Sequence, residues 1–343
     1  MDSTKHAPST TTQQGPQRKF IEQLGAPEFV KGVFAISNTQ MGQTRQGKPY
    51  LRCIISDKTG EMPGRMWSIE EAVFRKLPTE GFAYVEGETQ PYQGELQFII
   101  HLIEPAEPSP DQLTDLLPTT AKNIDEMFAR VQELLGTLAH PAAKALAGAY
   151  LADQYLMDAF RRCPAAKSMH HAYLGGLLEH TLSVMELADR ICPNYPRISR
   201  DLVLLGLFLH DLGKTRELIW DRTFGYSDRG ELIGHIVDGA LMLQDRAHAV
   251  MREQSMRFPP GFVTVLQHII LSHHGQPEFG AAKHPATPEA LLVSMIDNLD
   301  AKTAMALQAA RPERANALDL QGSFTEKQWA LDGVKLYKRD PLA

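Results

Sequence analysis

The sequence predicts two folded parts of different class, a small all-β barrel followed by an all-α bundle. Three observations carry this. Between residues 27 and 104 apolar and polar residues alternate in short runs broken by turn residues. Beyond residue 122 the apolar period lengthens to about 3.6. Between the two, Pro105, Pro108, Pro110 and Pro118 crowd a short polar stretch. A chain of 343 residues suits about two domains, and 43% hydrophobic with 22% charged residues is ordinary for soluble globular protein.

The first residues, Met1 to Gln17, are rich in Ser, Thr, Gln and Pro and have no apolar core of signal-peptide length. They read as a disordered cytoplasmic tail, spanning residues 1–20. Strands are expected at 29–37, 50–56, 61–67, 81–88 and 95–103, with a helical insert at 70–77. Five strands with a helix after the third match an OB-fold, placed at 21–104. Alternation buries Leu51, Cys53 and Ile55 and leaves Tyr50, Arg52 and Ile54 on the opposite face. An aromatic beside an arginine can stack a base and attract phosphate, and Arg65 with Trp67 repeats the pairing. Equally, these aromatics can pack on their neighbours. Acidic residues slightly outnumber basic ones in this part, so charge adds little to a nucleic-acid reading.

The proline-rich stretch 105–121 reads as a linker, since such a run sustains neither a helix nor an inner strand. A helical domain follows at 122–310, and a C-terminal extension packed on it at 311–343. Asn123 with Glu126 suggests a capping box opening a helix toward Leu138. A second helix is expected from Lys144 to Arg162, ended by Cys163-Pro164. Ser168 can cap a third that runs to about Ile191, and the apolar run 202–209 forms another, with Gly213 as a candidate cap. Thr287-Pro288 opens a late helix through Ala309.

Histidines gather in this helical part. His170, His171, His180, His210, His235, His273 and His274 are joined by Asp211 and Asp297. Most sit on or at the ends of expected helices, which is how a helical scaffold converges ligands on an interior site. His210-Asp211 ends a buried helix, where both side chains can turn toward one ion. A mixed His and Asp set suits Mn²⁺, Fe or Zn²⁺ better than Ca²⁺. Asp297 and Asp300 lie three apart on one helix face, and either could reach an ion. His170 and His171 line a substrate entrance or simply pack.

The order His180, His210-Asp211, Asp297 resembles the signature of the HD-domain phosphohydrolases, and His235 with His273-His274 resembles the enlarged ligand set of their binuclear members. The run from His170-His171 to Glu179-His180, the HDLGK of His210 to Lys214, the HHG of His273 to Gly275 and the segment from Asp297 to Lys302 resemble the YhaM family of 3′-to-5′ exoribonucleases. That family joins an N-terminal OB-fold to an HD domain. The resemblance runs from about Pro27 to the segments Phe324-Thr325-Glu326 and Leu336-Tyr337-Lys338. It implies His180, His210, Asp211 and Asp297 as ligands of a first metal, with Asp211 able to bridge. His235, His273 and His274 would complete a second site. Two ions can hold a phosphodiester and activate its attacker, and Lys214 would offer a phosphate oxygen a point charge. The cofactor expected is a divalent metal, two ions with Mn²⁺ favoured and Fe, Mg²⁺ or Zn²⁺ as alternatives.

The function so implied is a metal-dependent exonuclease that releases nucleoside monophosphates from single-stranded RNA or DNA, the OB-fold feeding the strand. A second reading is a phosphodiesterase or phosphatase for a small or cyclic nucleotide. Against its cyclic-di-GMP form, Gly275-Gln276-Pro277 stands where a Gly-Tyr-Pro motif would follow His274. A third is a non-catalytic RNA-binding regulator, which has no need of seven metal ligands. Three scattered cysteines without CxxC spacing fit a reducing cytosol. No apolar run reaches the ~20 residues of a membrane span. The net charge of −6 excludes a protein coated in basic surface.

Overall fold

A computed structural model of the chain describes residues 19–44, 47–92, 95–166, 173–220, 225–311 and 323–342. They divide into two compact units, Met1–Glu107 and Pro108–Ala343.

The first unit is a closed five-stranded barrel. Its strands are β1 (Glu28–Gln43), β2 (Pro49–Asp57), β3 (Gly60–Trp67), β4 (Gly81–Tyr92) and β5 (Glu95–Pro105), with the single-turn helix α1 (Glu71–Phe74) after β3. The order around the barrel is β1-β2-β3-β5-β4. Neighbours are antiparallel except β3 and β5. This is OB-like, as the alternating pattern implies. β1 and β4 run longer than expected, and each passes through a register shift against one neighbour. Leu51, Cys53 and Ile55 face inward with Phe34, Val85 and Phe98, and the same pleat turns Tyr50 and Arg52 outward.

The second unit is helical. Its elements in order are α2 (Pro110–Leu116), α3 (Ile124–Gly136), α4 (Pro141–Leu151), α5 (Gln154–Arg162), α6 (Gly176–Ile191), α7 (Arg200–Leu209) and α8 (Lys214–Glu217). A two-stranded hairpin, β6 (Leu218–Ile219) with β7 (Gly225–Tyr226), precedes α9 (Asp228–Leu232), α10 (Gly234–Glu253), α11 (Phe262–Ser272) and α12 (Pro288–Ala310). Val131, Leu146, Phe160, Leu178, Phe208, Leu243 and Ile270 share one core. Asn123 caps α3 through its side chain and reaches Glu126, and Thr287 caps α12 with Pro288 in the first turn.

Four expectations are corrected. The proline-rich stretch holds a helix after all. Ser109 and Gln112 form a capping box, and Pro110 stands in the first turn, where its missing N–H costs no hydrogen bond. The single helix expected at 144–162 is two, because Asp153 accepts from the Leu156 N–H and starts α5 afresh. Ser168 lies outside the described residues, and α6 begins only at Gly176. Gly175 holds a left-handed φ of +82° that ends any run from upstream. Gly213 is not a left-handed cap, for its φ is −58°.

After α12 the chain returns as a short tail. Phe324 bridges Tyr337 and Gln328 bridges Val334. Leu331, Val334, Leu336 and Tyr337 lie along the Met295 to Ala310 stretch of α12, and Lys302 lies 3.8 Å from Asp332. No helix among the described residues is long and apolar enough to cross a membrane. Cys53, Cys163 and Cys192 are free and buried.

Candidate metal centre

Five helices deliver the centre. His180 lies one turn into α6, His210 and Asp211 follow the last residue of α7, His235 opens α10, His273 and His274 follow α11, and Asp297 lies mid-way along α12. At the two helix ends the last turn tightens, with Leu212 N–H donating to the Leu209 carbonyl and Gly275 N–H to that of Ser272, which alters the angle between successive side chains. This is how His210-Asp211 and His273-His274 both contribute neighbours.

Each histidine is oriented by its Nδ1. His210 Nδ1–H donates to the Leu207 carbonyl at 2.6 Å and His273 Nδ1–H to that of Ile270 at 2.7 Å, each three residues back. His274 donates to the Phe279 carbonyl at 2.6 Å. His235 Nδ1 lies 2.8 Å from Glu217, whose carboxylate also accepts the His235 backbone N–H at 3.0 Å. His180 Nδ1–H donates to Asp300 at 2.7 Å, and Ser183 holds the other Asp300 oxygen. With every Nδ1 engaged, the Nε2 atoms are the ones presented to the interior.

Those Nε2 atoms converge on Asp211. Its Oδ2 lies 3.4 Å from His210 Nε2 and 3.9 Å from His180 Nε2, whereas its Oδ1 lies 3.5 Å from both His235 Nε2 and His273 Nε2. Asp297 Oδ1 lies 3.2 Å from His180 Nε2 and 3.9 Å from His210 Nε2. Three sets have ligand atoms all within 4.8 Å of one another: His180, His210 and Asp211; His210, His273 and Asp297; and His235, His273 and His274. Lys214 donates to Asp211 Oδ2 at 2.7 Å.

The electrostatics favour a cation. Burial would raise the Asp211 carboxyl, but Lys214 and His210 hold it well below the usual carboxylate range. Against the same burial, His180 and His210 hold Asp297 down. Burial pushes His235 and His273 down, and His274, which also feels His273, falls to about 4, so all three are neutral at pH 7. His180 goes the other way. Burial opposes its charge, yet Asp297 and Asp300 raise it to about 10.

The donor set fits divalent metal on a direct observation. Asp211 Oδ1, His235 Nε2 and His273 Nε2 are buried with no hydrogen-bond partner, although they face each other. Leaving three such atoms unmatched is costly, and an ion among them would satisfy all three at once. Nitrogen and carboxylate ligands without sulfur suit Mn²⁺, Fe or Zn²⁺.

The structure therefore gathers His180, His210, Asp211, Lys214, His235, His273, His274 and Asp297. It separates the roles open to Asp297 and Asp300: the first faces His180 Nε2 and the second its Nδ1. His170 and His171 lie outside the described residues. Glu217 was not singled out from the sequence. It lies eighteen residues before His235, and no local pattern joins a carboxylate to an imidazole at that distance.

On the barrel, the β2–β3 register sets Tyr50 opposite Trp67 and Arg52 opposite Arg65. The Tyr50 and Trp67 rings lie 5.4 Å apart, and Trp67 is 48% exposed. Arg52 is held by Gln40, and the Arg65 guanidinium lies 5.1 Å from the Tyr92 ring centre. Tyr50, Arg52 and Arg65 line a depression of about 250 Å³.

Residues 177–302 match the HD domain. Over 315 residues the chain is 33% identical to a protein of Geobacillus sp. (strain WCH70) named 3′-5′ exoribonuclease YhaM, covering 91% of this chain and 92% of that one. Proteins of the same name from Bacillus licheniformis and Bacillus velezensis are 32% and 31% identical, each covering 91% of this chain and 95% of the relative.

Proposed function

The chain belongs to the YhaM family of 3′-5′ exoribonucleases, and on that premise we propose that it is a metal-dependent hydrolase that shortens single-stranded RNA from the 3′ end, releasing nucleoside monophosphates. The reading includes two ions in the HD centre and strand capture by the Tyr50, Arg52, Arg65 and Trp67 face of the barrel.

One observation carries the two-ion reading. The Asp211 carboxylate divides its oxygens between two imidazole sets, Oδ2 toward His180 and His210 and Oδ1 toward His235 and His273. A carboxylate so placed would serve an ion on either side of it. His180, His210, Asp211 and Asp297 would hold one ion, and Asp211, His235, His273 and His274 the other. Divalent ions bound there supply Lewis acidity toward a phosphodiester and a nucleophile at neutral pH. The protein's own work is orientation: Asp300, Glu217 and three backbone carbonyls fix the imidazole rings before substrate arrives. The Lys214 ammonium, 2.7 Å from Asp211, neutralises that carboxylate and can share its charge with a phosphate oxygen. The barrel face offers π surfaces and guanidinium groups, which grip a strand without selecting a base.

The test is a parallel digestion. Purified protein with Mn²⁺ or Mg²⁺ receives 5′-labelled single-stranded RNA, the matching DNA and cyclic di-GMP. A ladder shortening from the 3′ end of RNA is expected, and exclusive turnover of the cyclic compound would defeat the proposal. DNA degraded as fast as RNA would remove the RNA preference.

A further inference from the structure

The turn after the paired histidines holds a large ring in solvent beside the centre. Pro277–Phe279 is one 3₁₀ turn, closed by hydrogen bonds from the Phe279 and Ala281 N–H groups to the Gln276 carbonyl at 3.0 and 3.2 Å, and from Gly280 to Pro277 at 2.9 Å. The Ala282 N–H donates to the Leu271 carbonyl at 2.9 Å and ties the turn to α11. The tie to the centre is direct. The Phe279 carbonyl accepts the His274 Nδ1–H at 2.6 Å, so the backbone from which the phenyl group springs lies against the edge of an imidazole that is grouped with His235 and His273. Yet the residue is 66% exposed. Large aromatic side chains gain most from burial, so a hydrogen-bonded turn that keeps one in water at the rim of a polar centre leaves a π face open to a ligand.

We propose that Phe279 is a stacking platform for the base of a nucleotide adjoining the scissile phosphate. The inference rests on the exoribonuclease reading and names a subsite of it. A phosphate at the centre puts the attached sugar and base at the rim, within reach of a ring rooted beside His274. The ligand set offers the base nothing, since every imidazole and carboxylate of the centre is turned to its neighbours. Stacking also suits an enzyme that must shorten a strand through any sequence, because all bases have a π face.

The experiment compares the full-length wild-type protein, Phe279→Leu and Phe279→Trp, loaded with Mn²⁺. Substrates are one RNA and two analogues, abasic at the 3′-terminal or at the penultimate position. Phe279→Leu should raise KM for intact RNA by about ten-fold while kcat stays within about two-fold, and Phe279→Trp should restore KM. On one of the abasic strands the wild type and Phe279→Leu should become equal. Bound metal, measured by mass spectrometry, should be unchanged in both variants. If Phe279→Leu is weaker by the same factor on all three strands, or does not differ from wild type on intact RNA, the platform is overturned while the exoribonuclease reading stands. A wild-type protein that does not shorten RNA at all would remove that reading and the platform with it.

Discussion

Asp211 is the side chain on which the centre turns, because removing it takes a carboxylate oxygen away from each of the two imidazole sets and leaves Lys214 without its 2.7 Å partner. Asp211→Ala should therefore lower bound metal and abolish hydrolysis together. Metal analysis of the purified variant checks this, and full metal content with normal activity would take Asp211 out of the site. A second expectation concerns protons. In the metal-free protein His180 is raised to about 10, so it carries a proton at neutral pH. An ion at its Nε2 must expel that proton. Affinity should then rise as pH rises toward that value, with about one proton released per chain at pH 8. Calorimetry in buffers of different ionisation enthalpy reads the number. His235, His273 and His274, pushed down by burial, release none there. No proton release would exclude His180 as a ligand. Residue identity and order made these side chains legible in the sequence. The choice between Asp297 and Asp300 was not legible, because i and i+3 share a helix face and only the position of the His180 ring between them separates their roles.

At the scale of elements, the alternating and helical periods gave the barrel and the bundle, and side-chain caps such as Asn123 and Thr287 marked where helices begin. What periodicity missed was governed by single residues whose effect depends on tertiary context. Asp153 could be an exposed helical residue or a cap, and the break after α4 makes it a cap. Gly213 looks like a C-cap in sequence but serves a close crossing, since a Cβ there would lie 2.1 Å from the His235 carbonyl oxygen. It lets α8 run against the first turn of α10, and that contact sets His235 relative to Asp211. Gly213→Ala should push the two apart, lowering stability by roughly 1–3 kcal/mol as an overpacked site does. In the proposed two-ion centre, the ion assigned to His235, His273 and His274 should be weakened before the one assigned to His180. Metal titration of the variant and its denaturation midpoint read both effects. Unaltered metal affinity would show that α10 yields without moving His235.

At the scale of the whole molecule, the barrel and the bundle have separate cores, so the strand capture proposed for the barrel can be tested by cutting the chain between them. Two sites that hold one strand reinforce each other, and the gain can reach about 10²–10⁴ over either alone. A strand too short to engage both gains nothing. Removing residues 1–107, the first unit, should therefore weaken binding of a 20-nucleotide RNA by at least about ten-fold and reduce processivity, yet leave cleavage of a trinucleotide within about three-fold. Salt separates the sources of the loss. Phosphate contacts by Arg52 and Arg65 would fade as salt rises, whereas stacking on Tyr50 and Trp67 would persist. The slight acidity of the barrel means that stacking should dominate, so the difference between the full and shortened chains should survive high salt. Circular dichroism must first show that the helical unit is folded. If a folded 108–343 chain then degrades the long strand as fast and as processively as the full protein, capture does not belong to the barrel, and its exposed Trp67 must meet another partner.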